Sequence, residues 1–398
     1  MVRLTTWRLP IAVPDPTPFP PVCLHPVANR QNGWVALLVE PAAEPITPGT
    51  LGTLFAGTDL LSAIAPLDCV LRLDHPSILT PTLLALLPPH RVLLSFEAAA
   101  LAQDGAGRQL AALHDAGYRI LLDGPLPPNL ARPAAARAVS LDCRDGAPPA
   151  ASLLRPDGPH LARRVDSAAR LAECTRAGFD WFSGAYPYDT EDGQGRDGTS
   201  RRRLLGLLAL LARDADSREL ELLLKQDPVL SFHLLRLVNS AAFALNTPIT
   251  GYVQAIAVLG RRQLQRWLQL LLYAGGAADG LPNLLLPLAA LRAGQLEMLC
   301  KAHGGDRDEQ DLAFMAGAFS LLDRLLGMPM VEIVGDLRLP GHVASALLER
   351  GGPLGERLRM VEEGADARAL EAAGIDGATW WASVLHAHHW AIQVSRNV

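Results

Sequence analysis

The sequence predicts an α/β domain followed by an all-α domain. In the first half, short apolar runs alternate with segments of helical spacing, whereas from Arg203 onward the helical period prevails. Repeated strand–helix units predict a (βα) barrel or a doubly wound sheet, and the residues alone leave both open. The length of 398 residues agrees with two domains, because one hydrophobic core rarely serves so long a chain.

The predicted strands are short apolar runs. Several of them are apolar on successive residues, as expected of strands buried on both faces of a parallel sheet. They are Val22–Val27, Trp34–Val39, Cys69–Leu73, Val92–Phe96, Arg119–Leu122 and Ala138–Leu141. Helical spacing predicts helices over Leu101–Ala116 and Ser167–Ala177. Each of them ends next to a glycine, which commonly terminates a helix.

A polar, glycine-rich stretch, Pro187–Ser200, predicts a linker between the two halves. Its Gly193, Gly195 and Gly198 match a GxGxxG pattern. No apolar strand precedes them, so the pattern does not indicate a nucleotide-binding loop. Domain boundaries are therefore expected at residues 18–187 for the first domain, 188–202 for the linker and 203–398 for the second domain.

The second domain is predicted to be helical throughout. Asp227 and Pro228 are typical of a helix start, with a capping side chain followed by proline. Further helices are predicted at Gln254–Leu259, Arg262–Ala274, Leu288–Ala302, Leu312–Leu326, Met330–Leu337, Val343–Glu349, Gly355–Glu362 and Ala378–Ser395.

Composition narrows the class of function. A net charge of −5 provides no positive field for nucleic acid or an anionic membrane. The five cysteines are odd in number and form no CxxC pair, so neither a disulfide framework nor a zinc cage is indicated. No segment reaches the roughly 18 apolar residues of a spanning helix. We expect a cytoplasmic protein that contacts neither membrane nor nucleic acid.

Three blocks of the second half resemble an HDOD domain. They are DPVLSFHLLRLVNSAAF (Asp227–Phe243), PITGYVQAIAVLGRRQLQRWL (Pro248–Leu268) and FMAGAFSLLDRLLG (Phe314–Gly327). HDOD domains are helical relatives of the HD phosphohydrolases without their metal ligands. The resemblance places Ser320 and Leu321 where a metal-binding relative carries adjacent His and Asp. It therefore implies that this half has no metal site.

With an HDOD domain behind it, the first half resembles a degenerate EAL domain, the barrel that hydrolyses cyclic di-GMP, and the whole chain resembles the YuxH-like EAL–HDOD proteins. His25-Pro26-Val27 is similar to the opening Gln-Pro-Ile of that family. The family's functional positions are assigned by the resemblance to Val35, Val39, Arg72, Leu94, Gly124, Ser140, Arg163 and Ser183, none of which keeps the family residue. Asp123, Asp142 and Glu97 are kept.

Two-metal hydrolysis needs several carboxylates at strand ends. Asp123 and Asp142 supply little negative charge, and Arg72 and Arg163 would oppose cation binding. The resemblance thus implies no catalytic residue, no metal and no cofactor, hence a protein that is not an enzyme. It implies a regulator in cyclic di-GMP signalling that acts through protein partners and leaves a homodimer open. The alternative is a cyclic di-GMP receptor using Arg72, Arg163, Asp123 and Asp142, and an active cyclic di-GMP phosphodiesterase is the least expected of the three.

The histidines of the second half carry a weaker signal. His386 and His389 share one helix face, a possible metal pair, but no third ligand lies at helical spacing. The neighbouring tryptophans favour a packing helix instead. His303 has no adjacent Asp and is expected at a helix end.

Overall fold

The first half is a closed eight-stranded barrel. The computed structural model describes residues 22–42, 45–126, 132–147, 158–189, 260–274 and 281–397, with the single residues 206 and 249. The strands, in chain order and in barrel order alike, are β1 Val22–Asn29, β2 Trp34–Pro41, β3 Asp68–Leu73, β4 Val92–Glu97, β5 Arg119–Asp123, β6 Ala136–Asp142, β7 Leu161–Arg163 and β8 Trp181–Phe182. Closure decides between the two α/β architectures in favour of the barrel.

One strand departs from the parallel arrangement. β1 pairs antiparallel with both β2 and β8, whereas β2 to β8 run parallel to one another. The amino-terminal end of β1 therefore lies beside the carboxyl ends of the other strands. The six predicted strands correspond to β1–β6, and β7 and β8 are too short to give an apolar run of their own.

Five α-helices surround the barrel in the described part of the chain. They are α1 Pro48–Ala56, α2 Leu60–Ala63, α3 Pro81–Leu84, α4 Ala106–Asp115 and α5 Ala168–Arg176. Ser167 caps α5 by accepting the Arg170 amide at 3.2 Å. The predicted helix from Leu101 begins later than expected, because a 3-10 turn at Ala98–Ala102 precedes α4.

The described part of the second half is helical, as predicted. Its helices are α6 Arg261–Leu271, α7 Leu285–Ala302, α8 Arg307–Phe319, α9 Leu322–Leu326, α10 Met330–Leu337, α11 Gly341–Glu349, α12 Gly352–Glu363, α13 Ala367–Ala372 and α14 Gly377–Asn397. The single helix predicted over Leu312–Leu326 is broken at Ser320 and Leu321, and α13 was not predicted. None of the described helices combines the length and the apolar character that a membrane crossing needs.

Several predictions concern residues outside the described ranges. The glycines of the linker, the helix start at Asp227 and the helix Gln254–Leu259 are among them. Residues 204–259, apart from 206 and 249, are likewise outside these ranges.

Strand β2 and the last described helix both contribute contacts between the two halves. Trp34 of β2 packs against apolar clusters of the barrel and of the helical half. Helix α14 also contacts both clusters, with Trp381 and Ile392 in the barrel cluster and Val394 in the helical cluster. The Arg292 guanidinium stacks over the Tyr188 ring, 5.5 Å from its centroid. The described halves are therefore joined by buried apolar contacts as well as by polar ones.

Candidate functional site

The barrel interior changes from apolar to charged at the carboxyl ends of the parallel strands. One interior layer is entirely apolar and consists of Val27, Ala36, Leu38, Val70, Leu93, Leu121, Ala138 and Leu161. Side chains two residues apart on a strand share a face, so the next interior layer is fixed by the register. It contains Glu40, Arg72, Ser95, Asp123, Ser140 and Arg163. Active sites of such barrels lie at this end.

Three positions assigned from the sequence lie away from the mouth, because side chains alternate along a strand and the assigned residues are not the ones that face it. Val35 is the second residue of β2 and lies at the opposite end of the strand from the mouth, where Glu40 is the side chain that β2 supplies. Leu94 packs in the cluster on the outside of the barrel, and its neighbour Ser95 faces the interior. A shift of one residue moves a side chain to the other face of a strand. Val39 likewise packs on the outside.

Asp123 is the centre of the charged layer. Its side chain is 3% exposed and accepts from two guanidinium groups, Arg72 through Nε and Arg163 through Nη2. Arg72 also donates to Glu97 at 3.1 Å. Arg163 donates from Nε to the Ser140 hydroxyl at 2.9 Å. Burial alone would lower the pKa of Arg72, but Asp123 outweighs it and raises that pKa, so the Arg72 guanidinium is held charged.

Glu40 extends this arrangement to β1. Its Oε2 lies 3.4 Å from Arg163 Nη1, and its Oε1 lies 3.3 Å from His25 Nε2. Burial opposes the ionised form of Glu40, yet the hydrogen bond from His25 and the nearby cations hold its pKa below the usual range. We call the six ionisable residues of this region the mouth cluster: His25, Glu40, Arg72, Glu97, Asp123 and Arg163.

Charge is balanced within the mouth cluster. It holds three carboxylates and three basic groups, and His25 counts as a cation because its pKa is raised to about 9. Asp142 lies outside this balance, since its side chain is 41% exposed and pairs with Arg164 at 2.7 Å. Of the four residues in the receptor hypothesis, the structure therefore brings Arg72, Arg163 and Asp123 together and leaves Asp142 at the rim.

Three uncharged positions complete the mouth. Ser95 is fully buried, and its hydroxyl has no hydrogen-bond partner among the described residues. Gly124 follows Asp123 with φ +85°, a conformation that favours glycine, and its amide donates to Ser140 O at 2.9 Å. Ser183 is buried after β8. Among the described residues, no group of three His, Cys, Asp or Glu side chains is arranged to hold a metal ion.

The helical half has an arginine beside Ser320, one of the two positions where a metal-binding relative carries its ligands. Ser320 lies between α8 and α9, donates to Gly317 O at 2.8 Å and accepts from Arg292 Nη1 at 3.0 Å. The same Nη1 lies 2.8 Å from Glu362. Leu321 is buried in the apolar core. An arginine that is already ion-paired and hydrogen-bonded therefore occupies this position.

His303, His388 and His389 of the helical half contact backbone carbonyl oxygens. His303 caps the carboxyl end of α7 through its contact with Leu299 O at 2.9 Å. On α14, His388 is buried and contacts Val384 O at 2.8 Å, and His389 Nδ1 lies 3.2 Å from Ala63 O of the barrel. The expectation of a packing helix is confirmed by the apolar contacts of α14 with both halves.

Comparison with known proteins identifies the second half. The HDOD domain family matches residues 204–317. A protein of Vibrio cholerae named cyclic di-GMP phosphodiesterase CdgJ is 29% identical over 247 residues, which are 60% of this chain and 56% of the relative. The uncharacterized protein YuxH of Bacillus subtilis is 26% identical over 51% of this chain and 50% of its own length. The chain thus spans about half the length of the curated relatives it matches.

Among solved structures, one similar chain is BlrP1 of Klebsiella pneumoniae in its complex with calcium and cyclic di-GMP. The match covers 44% of this chain and 56% of that one, with 17% identity and a TM-score of 0.34.

These findings correct one prediction and confirm another. The prediction that the chain is not an enzyme is wrong in the light of CdgJ, a relative that is named a phosphodiesterase. It rested on two surviving carboxylates, but Glu40 and Glu97 also reach the mouth. The predicted fold class, a barrel followed by a helical half, is confirmed by the closed barrel and by the family match. The chain therefore carries an HDOD domain in its second half, behind a closed eight-stranded barrel.

Proposed function

We propose that this protein regulates a cyclic di-GMP pathway through contacts of its EAL-like barrel and its helical domain with other proteins. The mouth cluster carries the proposal, because its charged side chains are already paired with one another. A relative named for cyclic di-GMP turnover supports the pathway. The proposal includes the division into residues 18–187, 188–202 and 203–398.

The pairing opposes capture of a phosphate. A phosphate that reached Arg163 would have to replace Asp123, and both side chains are less than a tenth exposed. Removing one partner of a buried ion pair leaves the other charge uncompensated, which costs about 3–5 kcal/mol. The contact between the phosphate and Arg163 would have to contribute more binding free energy than this cost.

A second candidate function is binding or turnover of cyclic di-GMP at the mouth. Three carboxylates converge there rather than the two expected from the sequence, since Glu40 and Glu97 join Asp123. Guanidinium groups bind phosphate through paired hydrogen bonds, and Arg72 and Arg163 lie in the same layer. The name of CdgJ also favours this candidate.

Calorimetric titration with cyclic di-GMP separates the two candidates. For the regulator we expect no binding at micromolar concentrations, and no difference between the wild type, Arg72→Ala and Arg163→Ala. Arg164→Ala is the matched control, because this arginine is 47% exposed and pairs outside the mouth cluster. Micromolar binding that is lost in Arg72→Ala or Arg163→Ala, but kept in Arg164→Ala, would establish the receptor instead. Linear dinucleotide formed with Mg²⁺ or Mn²⁺, and absent with Asp123→Ala, would establish turnover.

The protein contacts have a test of their own. Val331 of α10 and Leu348 of α11 are large apolar side chains with exposed fractions of 62% and 42%. We expect Val331→Asp and Leu348→Asp together to weaken binding of a partner purified from the native bacterium at least tenfold, measured as a dissociation constant. The control is Glu332→Lys, an exposed change on the same helix. Equal affinity in all variants would place the partner's surface elsewhere on the chain.

A further inference from the structure

A second opening of the barrel lies near the amino ends of β5 and β6, at the opposite end from the mouth. It is a cavity of about 300 Å³, which we call the base cavity. Leu93, Leu121 and Ala138 line it, and all three belong to the apolar interior layer. The exposed Arg137 lines it as well. The base cavity therefore extends from the protein surface to the apolar interior of the barrel.

Arg137 lines this cavity at a β-bulge of β6. Ile120 of β5 is opposite Ala136, but the next residue, Leu121, is opposite Ala138. Arg137 is thus an extra residue on β6. Ala136 packs outside the barrel and Ala138 inside it, although residues two apart on a regular strand share one face. Bulges are rare between parallel strands, and they are frequent next to functional sites, where they redirect a side chain.

Three basic side chains line the base cavity, and they differ in their partners. Arg119 Nη2 lies 2.9 Å from Asp68 Oδ2, and His114 Nδ1 lies 3.7 Å from Asp115 Oδ1. Within the described part of the chain, the Arg137 guanidinium has neither an ion pair nor a hydrogen bond. The base cavity thus has one guanidinium whose positive charge is paired with no described carboxylate.

We propose that the base cavity binds a small organic anion with a short apolar chain, such as a medium-chain carboxylate. Small-molecule sites have volumes of about 300–1,000 Å³ and combine an apolar lining with a few polar groups, so this cavity fits a ligand at the small end of that range. The chain of the ligand lies against Leu93, Leu121 and Ala138. Its carboxylate accepts from Arg137 in a charge-assisted hydrogen bond.

This site is independent of the proposed regulatory function. It lies at the other end of the barrel from the mouth cluster and shares no residue with it. The single unpaired guanidinium favours a ligand with one negative charge over one with several. Binding at the base cavity therefore requires neither cyclic di-GMP nor a protein partner.

Calorimetric titration of the full-length chain with sodium octanoate tests the proposal. We expect saturable binding at one site per chain. Acetate has the same carboxylate without the chain, and octan-1-ol has the same chain without the charge. Each should bind at least about tenfold more weakly than octanoate, because it uses only one of the two features of the cavity.

Variants of Arg137 establish where octanoate binds. Arg137→Gln should weaken octanoate binding about tenfold, and Arg137→Lys should keep most of the affinity because it keeps the charge. Arg108→Gln is the matched control, since Arg108 is an exposed arginine of α4 that does not line the base cavity. Arg137 is exposed, so the midpoint temperature of thermal unfolding should be the same in Arg137→Gln as in the wild type.

The proposal is overturned by any of three results. The first is the absence of octanoate binding to the wild type. The second is equal affinity of Arg137→Gln and the wild type for octanoate, which would place the anion at other cations of the chain. The third is binding of acetate or octan-1-ol as tight as that of octanoate, which would mean that the cavity does not recognise an apolar chain and a charge together.

Discussion

The substitution Asp123→Asn is expected to lower the free energy of unfolding of the barrel by about 3–5 kcal/mol. The Asp123 carboxylate is 3% exposed and neutralises two guanidinium groups at once. Asparagine has nearly the same shape but no charge, so the buried Arg163 and the half-buried Arg72 would have only Glu40 and Glu97 to balance them. Urea denaturation followed by circular dichroism measures the difference.

The control for this prediction is Asp142→Asn, the same chemical change at the rim. Asp142 and Arg164 are each more than 40% exposed, and exposed ion pairs contribute about 0–1 kcal/mol. The double variant Asp123→Asn with Arg72→Gln restores the balance of charge, so it should lose less stability than the sum of the single changes. If Asp123→Asn lowers the free energy of unfolding no more than Asp142→Asn does, the prediction is contradicted. Water would then solvate the charges of the mouth as it solvates those of the surface.

Much of the barrel could be predicted because its strands carry a local signal. β1 to β6 are short and mostly apolar, so each appears as an apolar run in the sequence. β7 and β8, with three and two residues, are too short for any period to show. That β1 runs antiparallel to its neighbours depends on the short turn after Asn29 and on barrel closure, which no local pattern determines.

The mouth could be predicted in part. Arg72, Asp123 and Arg163 were expected at one barrel end, because carboxyl ends of parallel strands meet there. That Asp123 accepts from both arginines could not be predicted, since the partners are 51 and 40 residues away along the chain. Glu40 was missed although a signal existed: counting in steps of two from Leu38 leads to it. Asp142 lies two residues beyond Ser140 on β6, so it is past the charged layer and its side chain is exposed to solvent.

Gly317→Ala is expected to destabilise the helical domain by about 3 kcal/mol, because α7 and α8 touch through their backbones at this glycine. A Cβ atom on Gly317 would lie 2.6 Å from the backbone N and Cα of Ala293. Real Cβ contacts are longer, so the two helices would have to separate. Arg292, the neighbour of Ala293, would then lose its contacts with Ser320 and Glu362.

Two other glycines serve as controls, because alanine at each of them should cost less stability than at Gly317. A Cβ on Gly335, exposed within α10, meets nothing within 4 Å, so Gly335→Ala should be neutral or stabilise by up to about 1 kcal/mol through helix propensity. A Cβ on Gly294 would lie 3.1 Å from the Trp390 ring, a side chain that can shift where backbone cannot. The midpoint temperature of thermal unfolding should therefore be highest for Gly335→Ala, lower for Gly294→Ala and lowest for Gly317→Ala. A Gly317→Ala variant as stable as Gly335→Ala would mean that α7 and α8 have room to part without cost. In that case Arg292 would not need the close approach of the two helices to hold Ser320 and Glu362.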